Sequence, residues 1–122
     1  MIWIYNFVIN LRMLISSAKE LKDTINNNQS LLLIDAGGYD SDLNRIAISG
    51  ADLIITPVSD SGIELVGLLA FRSILRDIRK SRKDLVANIL LNKIHTRAGN
   101  TSLNDIYSFI GENPEFKQLS SI

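Results

Sequence analysis

A short apolar stretch that ends in an acid and two glycines is the first feature of the sequence that could do chemistry. It runs LLLIDAGG, from Leu31 to Gly38. Bulky aliphatic residues closed by glycines are typical of a strand buried on both faces of a parallel sheet, and open α/β folds bind ligands at the carboxyl ends of such strands. There, the Asp35 carboxylate could hold a metal ion or a water, and Gly37 and Gly38 would let the backbone approach a phosphate. A strand followed by a tight turn with no further role is the alternative interpretation.

A second strand pattern and a helix start follow this stretch. Residues 51–58 are ADLIITPV, a buried-strand pattern that ends in Pro-Val, and residues 59–62 form a turn cluster that opens a helix. Together these segments resemble the second half of the ParA/MinD family of P-loop partition ATPases. The family pattern is a strand ending Asp-x-Gly-Gly or Asp-x-x-Gly, a helix, an Ala-Asp pair before the next strand, Pro-Val at its end, and a turn with Ser and Asp. Every one of these elements occurs here in order, within residues 31–92.

The resemblance implies roles for particular residues. Asp35 would be the catalytic carboxylate, which helps to hold magnesium through water and orients the attacking water. Gly37 and Gly38 would lie where the family backbone senses the γ-phosphate, with residues 39–44 as its moving switch loop. Asn92 would bind the nucleotide by its adenine ring, because one amide offers both a donor and an acceptor; an asparagine that caps a turn at the strand end is the alternative.

The phosphate loop of the family has no counterpart in these residues. In the family, a deviant Walker A sequence, Lys-Gly-Gly-x-Gly-Lys-Thr/Ser, cradles the phosphates, whereas residues 1–30 contain no glycine at all. ATP and magnesium are the family's cofactors, but a carboxylate and two glycines alone are not expected to bind ATP usefully. We therefore expect a ParA-like partition ATPase fragment with little or no ATP hydrolysis on its own. The alternative is a non-catalytic dimerisation or interaction module that keeps the ParA-like sheet.

Basic residues gather toward the end of the longest predicted helix. They are candidate contacts to DNA phosphates, because partition ATPases bind nucleoid DNA without sequence preference. A solvated helix end whose charges complement the helix dipole is the competing interpretation. The candidate DNA-contacting residues are Arg72, Arg76, Arg79 and Lys80.

His95 is the only histidine. Since no serine–acid arrangement is evident around it, a surface histidine at a strand end is favoured over a general base.

The composition limits the class of protein. With 122 residues, 46% of them hydrophobic and 21% charged, the chain is long enough for one compact domain over residues 1–122 and too short for two. Thirteen basic residues balance thirteen acidic ones, which argues against a nucleic-acid binder that works by bulk charge. The absence of cysteine excludes disulfides, thiolate metal sites and a cysteine nucleophile.

The predicted location and partners follow from the same features. The apolar amino terminus is interrupted by Asn6, Asn10 and Arg12 before it reaches the roughly 20 residues that span a bilayer, so no membrane segment and a cytoplasmic location are expected. A homodimer or a pairing with a complete ATPase is expected, with a partition adaptor protein and non-specific DNA as further candidate partners.

The elements that must position these residues alternate between strand and helix, which predicts an α/β fold with a parallel sheet and helices on both faces. The resemblance makes this fold P-loop NTPase-like and truncated at its amino end. An unrelated flavodoxin-like domain is disfavoured by the double glycine after Asp35.

Ser59 or Ser61 is expected to cap the longest helix, and Gly111 to end the last one. The segment 2–9 is predicted as a strand, with a helix from the start as its alternative. The remaining predictions are helices at 11–25, 41–48, 63–80 and 102–110, strands at 31–35, 52–57 and 86–91, and a short tail.

Overall fold

A computed structural model describes residues 2–6, 11–37, 40–95 and 99–119. The chain divides into two compact units, residues 1–51 and residues 52–122. The expectation of a single domain over residues 1–122 stays a prediction. Within the described residues, none of the helices combines the length and the apolar character needed to cross a membrane.

The first unit is an antiparallel sheet with two helices. The elements are β1 (Ile2–Asn6), β2 (Leu11–Ile15), α1 (Ala18–Asn27), β3 (Leu32–Asp35) and α2 (Asp42–Gly50). The three strands lie in the order β2–β1–β3, and β1 pairs antiparallel with both neighbours. Helices α1 and α2 pack together, and the core contains Ile15, Leu21 and Ala47.

The predicted helix at 11–25 is wrong in its first half. Residues 11–15 form β2, whose side chains alternate at the end of the strand between 44% exposed at Leu14 and 0% at Ile15. The helix begins only after Ser17, whose hydroxyl accepts a hydrogen bond from the Glu20 N–H at 3.4 Å. Pairing with β1 outweighs the helical spacing of the apolar residues, and the Ser-x-x-Glu sequence marks the true helix start.

The strand that ends in Asp35 is also placed differently from the prediction. It pairs antiparallel with β1, not within a parallel sheet. Its neighbour Leu31 is 70% exposed and Leu33 51%, while Leu32 and Ile34 pack on the core. The strand is therefore buried on one face only. A run of four aliphatic residues hides this alternation, because both faces carry the same residue type.

The second unit contains the parallel sheet. Its strand order is β4–β5–β6, with both pairs parallel, and this confirms the predicted α/β class. Residues 116–118, predicted as a tail, form the third strand. Beside β5, Pro57 of the edge strand β4 lies opposite Leu90. The elements are β4 (Ile54–Val58), α3 (Ile63–Arg79), β5 (Ala87–Leu91), α4 (Thr101–Glu112) and β6 (Phe116–Gln118).

One face of this sheet carries the core of the unit. Ala87 and Ile89 of β5 are 0% exposed, and Phe116 of β6 is 5% exposed. The Phe116 ring lies 5.9 Å from that of Phe71 and 5.3 Å from that of Phe109, as centroid distances, which ties β6 to α3 and α4. On the opposite face, Ile55 is 48% and Leu90 41% exposed.

Two predicted helix ends are wrong. The N-cap of α3 is Gly62, with no side-chain cap, so neither Ser59 nor Ser61 caps this helix. Helix α4 continues through Gly111 and ends at Glu112. Its C-cap is Asn113, whose amide donates to the Phe109 carbonyl at 2.7 Å. A glycine close to a helix end is tolerated inside the helix when a polar side chain just beyond it satisfies a last-turn carbonyl.

Candidate functional site

Asp35 and Gly37 lie where β3 of the first unit ends. Both residues are exposed. The Gly37 carbonyl accepts a hydrogen bond from the Asn44 amide at 2.7 Å, which joins this turn to α2. Gly38, like Tyr39 of the predicted switch loop, lies outside the described residues. The rest of that loop leads into α2, because the Ser41 hydroxyl accepts from the Asn44 N–H at 3.1 Å as the helix cap.

Asp35 does not form a magnesium site by itself. In the part of the chain that the structure describes, no group of three or more His, Cys, Asp or Glu residues could hold a metal ion. Magnesium takes near-octahedral oxygen coordination and is usually bound through carboxylates together with substrate phosphates. A single exposed carboxylate does not fit that requirement, and the metal role of Asp35 stays a prediction.

Asn92 lies in the second unit, directly after the carboxyl end of β5. Its N–H donates to the Val58 carbonyl at 2.8 Å, so the ends of β4 and β5 are held side by side. Its side-chain oxygen accepts from the Lys93 N–H at 3.0 Å, which is the turn-capping contact proposed as the alternative to adenine binding. Lys93 has a φ of 55°, the left-handed conformation that turns the chain sharply out of the strand.

A shallow pocket opens at this edge of the parallel sheet. Its volume is about 150 Å³. Glu64 forms part of its wall and is held by the Ser59 hydroxyl, which donates to its carboxylate at 2.8 Å, and by the Ser59 N–H at 3.2 Å. Open α/β sheets bind ligands outside the carboxyl ends of their strands, which is where this pocket lies. Its lining residues are Pro57, Val58, Ser59, Glu64, Asn92 and Lys93.

Beside the pocket, the buried carboxylate of Asp60 joins two loops. Only 7% of its side chain is exposed. One carboxylate oxygen accepts from the His95 backbone N–H at 2.7 Å and from the Asn100 amide at 2.8 Å. The other lies 2.9 Å from Nδ1 of the His95 ring. The His95 side chain is itself 75% exposed.

Asn100 completes this cluster at the start of α4. Its side-chain oxygen accepts from the Leu103 N–H at 3.1 Å as the helix N-cap, and its amide also donates to the His95 carbonyl at 3.2 Å. The start of α3 is adjacent, since a Cβ added at Gly62 would lie 3.8 Å from the Ser102 hydroxyl oxygen. Helix N-termini favour negative charge, so both helices suit an ionised Asp60.

The electrostatics of Asp60 follow from these donors. The hydrogen bonds from the His95 backbone N–H and the His95 ring, the two largest causes, lower the pKa of Asp60 to about 2, against an ordinary value of 3.8. At neutral pH the carboxylate is therefore ionised and can only accept hydrogen bonds. Consequently Nδ1 of His95 carries the proton that lies toward Asp60.

This cluster was not predicted from the sequence. Asp60 was assigned no role. His95 was interpreted as a surface residue, which agrees with the exposure of its ring, but the contact of the ring with Asp60 was not expected. The two residues are separated by 35 positions. The available signal was positional: polar residues that follow neighbouring parallel strands meet at one sheet edge.

The four candidate DNA-contacting residues all lie on α3 or directly after it, and each bonds within the chain. Arg72 donates to the Asn113 side-chain oxygen at 2.9 Å, Arg76 to the Glu115 carboxylate at 2.6 Å, and Arg79 to the Leu85 carbonyl. Lys80 pairs with Asp77 at 3.3 Å, with 79% of its side chain exposed. The three guanidinium groups tie α3 to other parts of the unit, and the DNA contact stays a prediction.

Comparison with known families gives a match over most of the chain. Residues 11–97 match the family described as ATPase MipZ, a ParA-like partition ATPase family. The matched residues include the whole stretch from β3 to Asn92 on which the ParA/MinD resemblance was based. Neither the curated proteins nor the solved structures gave a significant match.

Proposed function

Because this chain belongs to the MipZ family of ParA-like ATPases, we propose that it is a relative of the partition ATPases whose second unit binds a nucleotide by its base. The observation that carries the proposal is the pocket at the carboxyl edge of β4 and β5, with Asn92 in its lining. The Asn92 amide would contact the base edge, and the exposed Pro57 would pack against the ring.

The size and charge of the pocket favour the base over the phosphates. Its volume of about 150 Å³ is below the range of roughly 300–1,000 Å³ that is typical of pockets for whole ligands. Glu64 and Lys93 contribute one carboxylate and one ammonium group to the lining, so the pocket has no net positive charge that would attract a triphosphate. A neutral heterocycle such as the base requires neither a larger volume nor a positive charge.

We further propose that these 122 residues have little or no ATPase activity on their own. They contain no glycine- and lysine-rich phosphate loop, and such a loop supplies the backbone amides and the lysine that stabilise phosphoryl transfer. ATP and magnesium are the cofactors of the family, but no step of hydrolysis can be assigned to the described residues.

A titration with adenosine, AMP and ATP tests both statements. We expect amide chemical shifts of Asn92 and Lys93 to move with adenosine, and Asn92→Ala to weaken the binding by about tenfold, as expected when a hydrogen-bonded base contact worth 1–2 kcal/mol is lost. Asp84→Asn, at an exposed position of the same unit, is the control. Absence of adenosine binding would refute the base site, and ATP turnover that is lost in Asp35→Ala would refute the inactivity.

The second candidate function is a non-catalytic interaction module. It is favoured by apolar side chains at the start of α3 that face solvent, Ile63 at 75% and Val66 at 65% exposure, because exposed apolar patches mark interaction surfaces. Pairing with a second copy or with a complete ATPase belongs to this proposal, as does an adaptor protein. A dimer in sedimentation that dissociates in Val66→Asp would support it, and a monomer at high concentration would count against it.

A further inference from the structure

We propose that Asp60 is the positioning residue of the nucleotide pocket: its buried carboxylate holds residues 92–95, which follow β5 and include Asn92 and Lys93, in the geometry that binds the base. That the pocket binds a nucleotide rests on the proposed function, but the effect of Asp60 on the position of Asn92 and Lys93 can be measured without any ligand.

The first step is that Asp60 joins three parts of the second unit by side-chain hydrogen bonds. It follows β4, whereas its partners follow β5 and start α4. Three donors converge on the one carboxylate, at 2.7 Å from the His95 backbone N–H, 2.8 Å from the Asn100 amide and 2.9 Å from His95 Nδ1. A carboxylate that accepts several hydrogen bonds in a buried place is a strong tie, and its loss leaves these donors without an acceptor.

The second step is that this tie restrains the pocket. Asn92 is separated from His95 by only two residues, and its own N–H is bonded to Val58 at the end of β4. The segment 92–95 is thus fixed at both ends, by Val58 and by Asp60. Lys93 between them keeps a left-handed backbone with a φ of 55°, a conformation that persists in a residue other than glycine when its surroundings hold it.

The third step concerns the His95 ring. Since the ionised Asp60 can only accept, Nδ1 is the protonated ring nitrogen, and Nε2 of the neutral ring is left as an exposed acceptor. The arrangement resembles an imidazole oriented by a carboxylate, in which the second nitrogen is presented to a ligand or to solvent. An Asp60 side chain that merely filled space in the core would not select a tautomer of His95. The His95 tautomer therefore reports whether the Asp60 carboxylate holds the ring.

Nitrogen-15 spectra of the full chain test the inference. At about pH 8, where imidazole is ordinarily neutral, we expect His95 to be the Nδ1–H tautomer in the wild-type chain. In Asp60→Asn we expect that tautomer preference to be lost, the amide signals of Asn92 and Lys93 to shift, and adenosine affinity to fall by about tenfold or more. Asp84→Asn removes the same charge at an exposed site and should change none of the three.

The outcomes separate the inference from the proposed function. If the wild-type chain does not bind adenosine but Asp60→Asn still changes the tautomer and both amides, the base site is refuted and the positioning role of Asp60 holds. An Nε2–H tautomer in the wild-type chain, or unchanged Asn92 and Lys93 amides in Asp60→Asn, overturns the inference. Should Asp60→Asn not fold, Asp60→Glu is the second variant, because it keeps the charge but displaces the carboxylate, and unchanged Asn92 and Lys93 amides there overturn the inference equally.

Discussion

At the scale of single residues, the second unit contains two buried acids, Asp60 and Glu115. Asp60 and Glu115 are 9% and 5% exposed, and each is matched by donors from a distant part of the chain. Burial alone would raise the pKa of a carboxyl, yet the pKa of both groups is lowered, because hydrogen bonds and nearby positive charge outweigh desolvation. Folding therefore favours the ionised form of both acids, and each stabilises the fold more when ionised than when protonated.

Acid should remove the contribution of Asp60. Its pKa is about 2 in the folded chain and 3.8 ordinarily, so the ionised form is favoured by folding, and the contribution is complete above pH 3.8 and is lost as the pH falls through about 2. We expect the Tm, followed by circular dichroism, to fall with pH in this window. The fall should be shallower in Asp60→Asn than in Asp84→Asn, and equal slopes in the two variants would contradict the assignment.

Arg76 should matter more to stability than Lys80, although the two residues are only four positions apart in the sequence. Arg76→Ala leaves the Glu115 carboxylate buried with its partner removed, and we expect a loss of about 1–3 kcal/mol. Lys80→Ala removes only an exposed ion pair, which is worth about 0–1 kcal/mol. Urea unfolding measures both values, and similar losses would show that Glu115 is satisfied in another way.

At the scale of elements, the second unit was predicted more closely than the first. Strands β4 and β5 and helix α3 were found within a few residues, because long apolar runs and a helical stripe are signals contained in one segment. The sequence offers Ser41 or Asp42 as the cap of α2, and the structure has Ser41, because capping is a local signal too.

The elements that were missed depend on partners elsewhere in the chain. Strand β2 exists by its pairing with β1, and β6, only three residues long, by its pairing with β5. Propensity in a short window does not contain that information. The Asp60 cluster was missed for the same reason, whereas Asn92 could be singled out because it directly follows a recognisable strand.

Phe116 is the residue through which β6 joins the core, and its replacement tests whether this short strand is integral to the unit. Phe116→Ala removes a ring that is 5% exposed and packs on Phe71 and Phe109, so we expect a loss of about 3–5 kcal/mol. The neighbouring Lys117 is exposed, and Lys117→Ala should change the stability by less than about 0.5 kcal/mol. Chemical denaturation gives both values, and a small loss for Phe116→Ala would mean that β6 frays in solution.

At the scale of the whole molecule, acidic and basic residues balance in number. The formal net charge is zero, and the guanidinium groups of Arg72, Arg76 and Arg79 bond to other parts of the second unit. Non-specific DNA stays a predicted partner, and among the candidate contacts the Lys80 side chain, at 79% exposure, is more accessible than that of Arg76, at 51%.

DNA binding should therefore depend on Lys80 more than on Arg76. The Lys80 side chain is 79% exposed, and loss of one phosphate contact should reduce the slope of log affinity against log salt by about 0.9. We expect this change in Lys80→Ala and little change in Arg76→Ala, measured by fluorescence anisotropy on a short duplex at low salt. A stronger effect of Arg76→Ala would mean that its contact with Glu115 opens when DNA binds.

The proline in β4 has a consequence for assembly. The Val58 carbonyl points toward β5, where it accepts from Asn92, so the alternation of a strand directs the backbone of Pro57 to the opposite, outer side. An incoming strand would meet a ring there in place of an amide hydrogen, and the ladder would be interrupted at that rung. A second strand added along this side of β4 would therefore lack one ladder hydrogen bond at Pro57, which disfavours β4 as a template for strand addition.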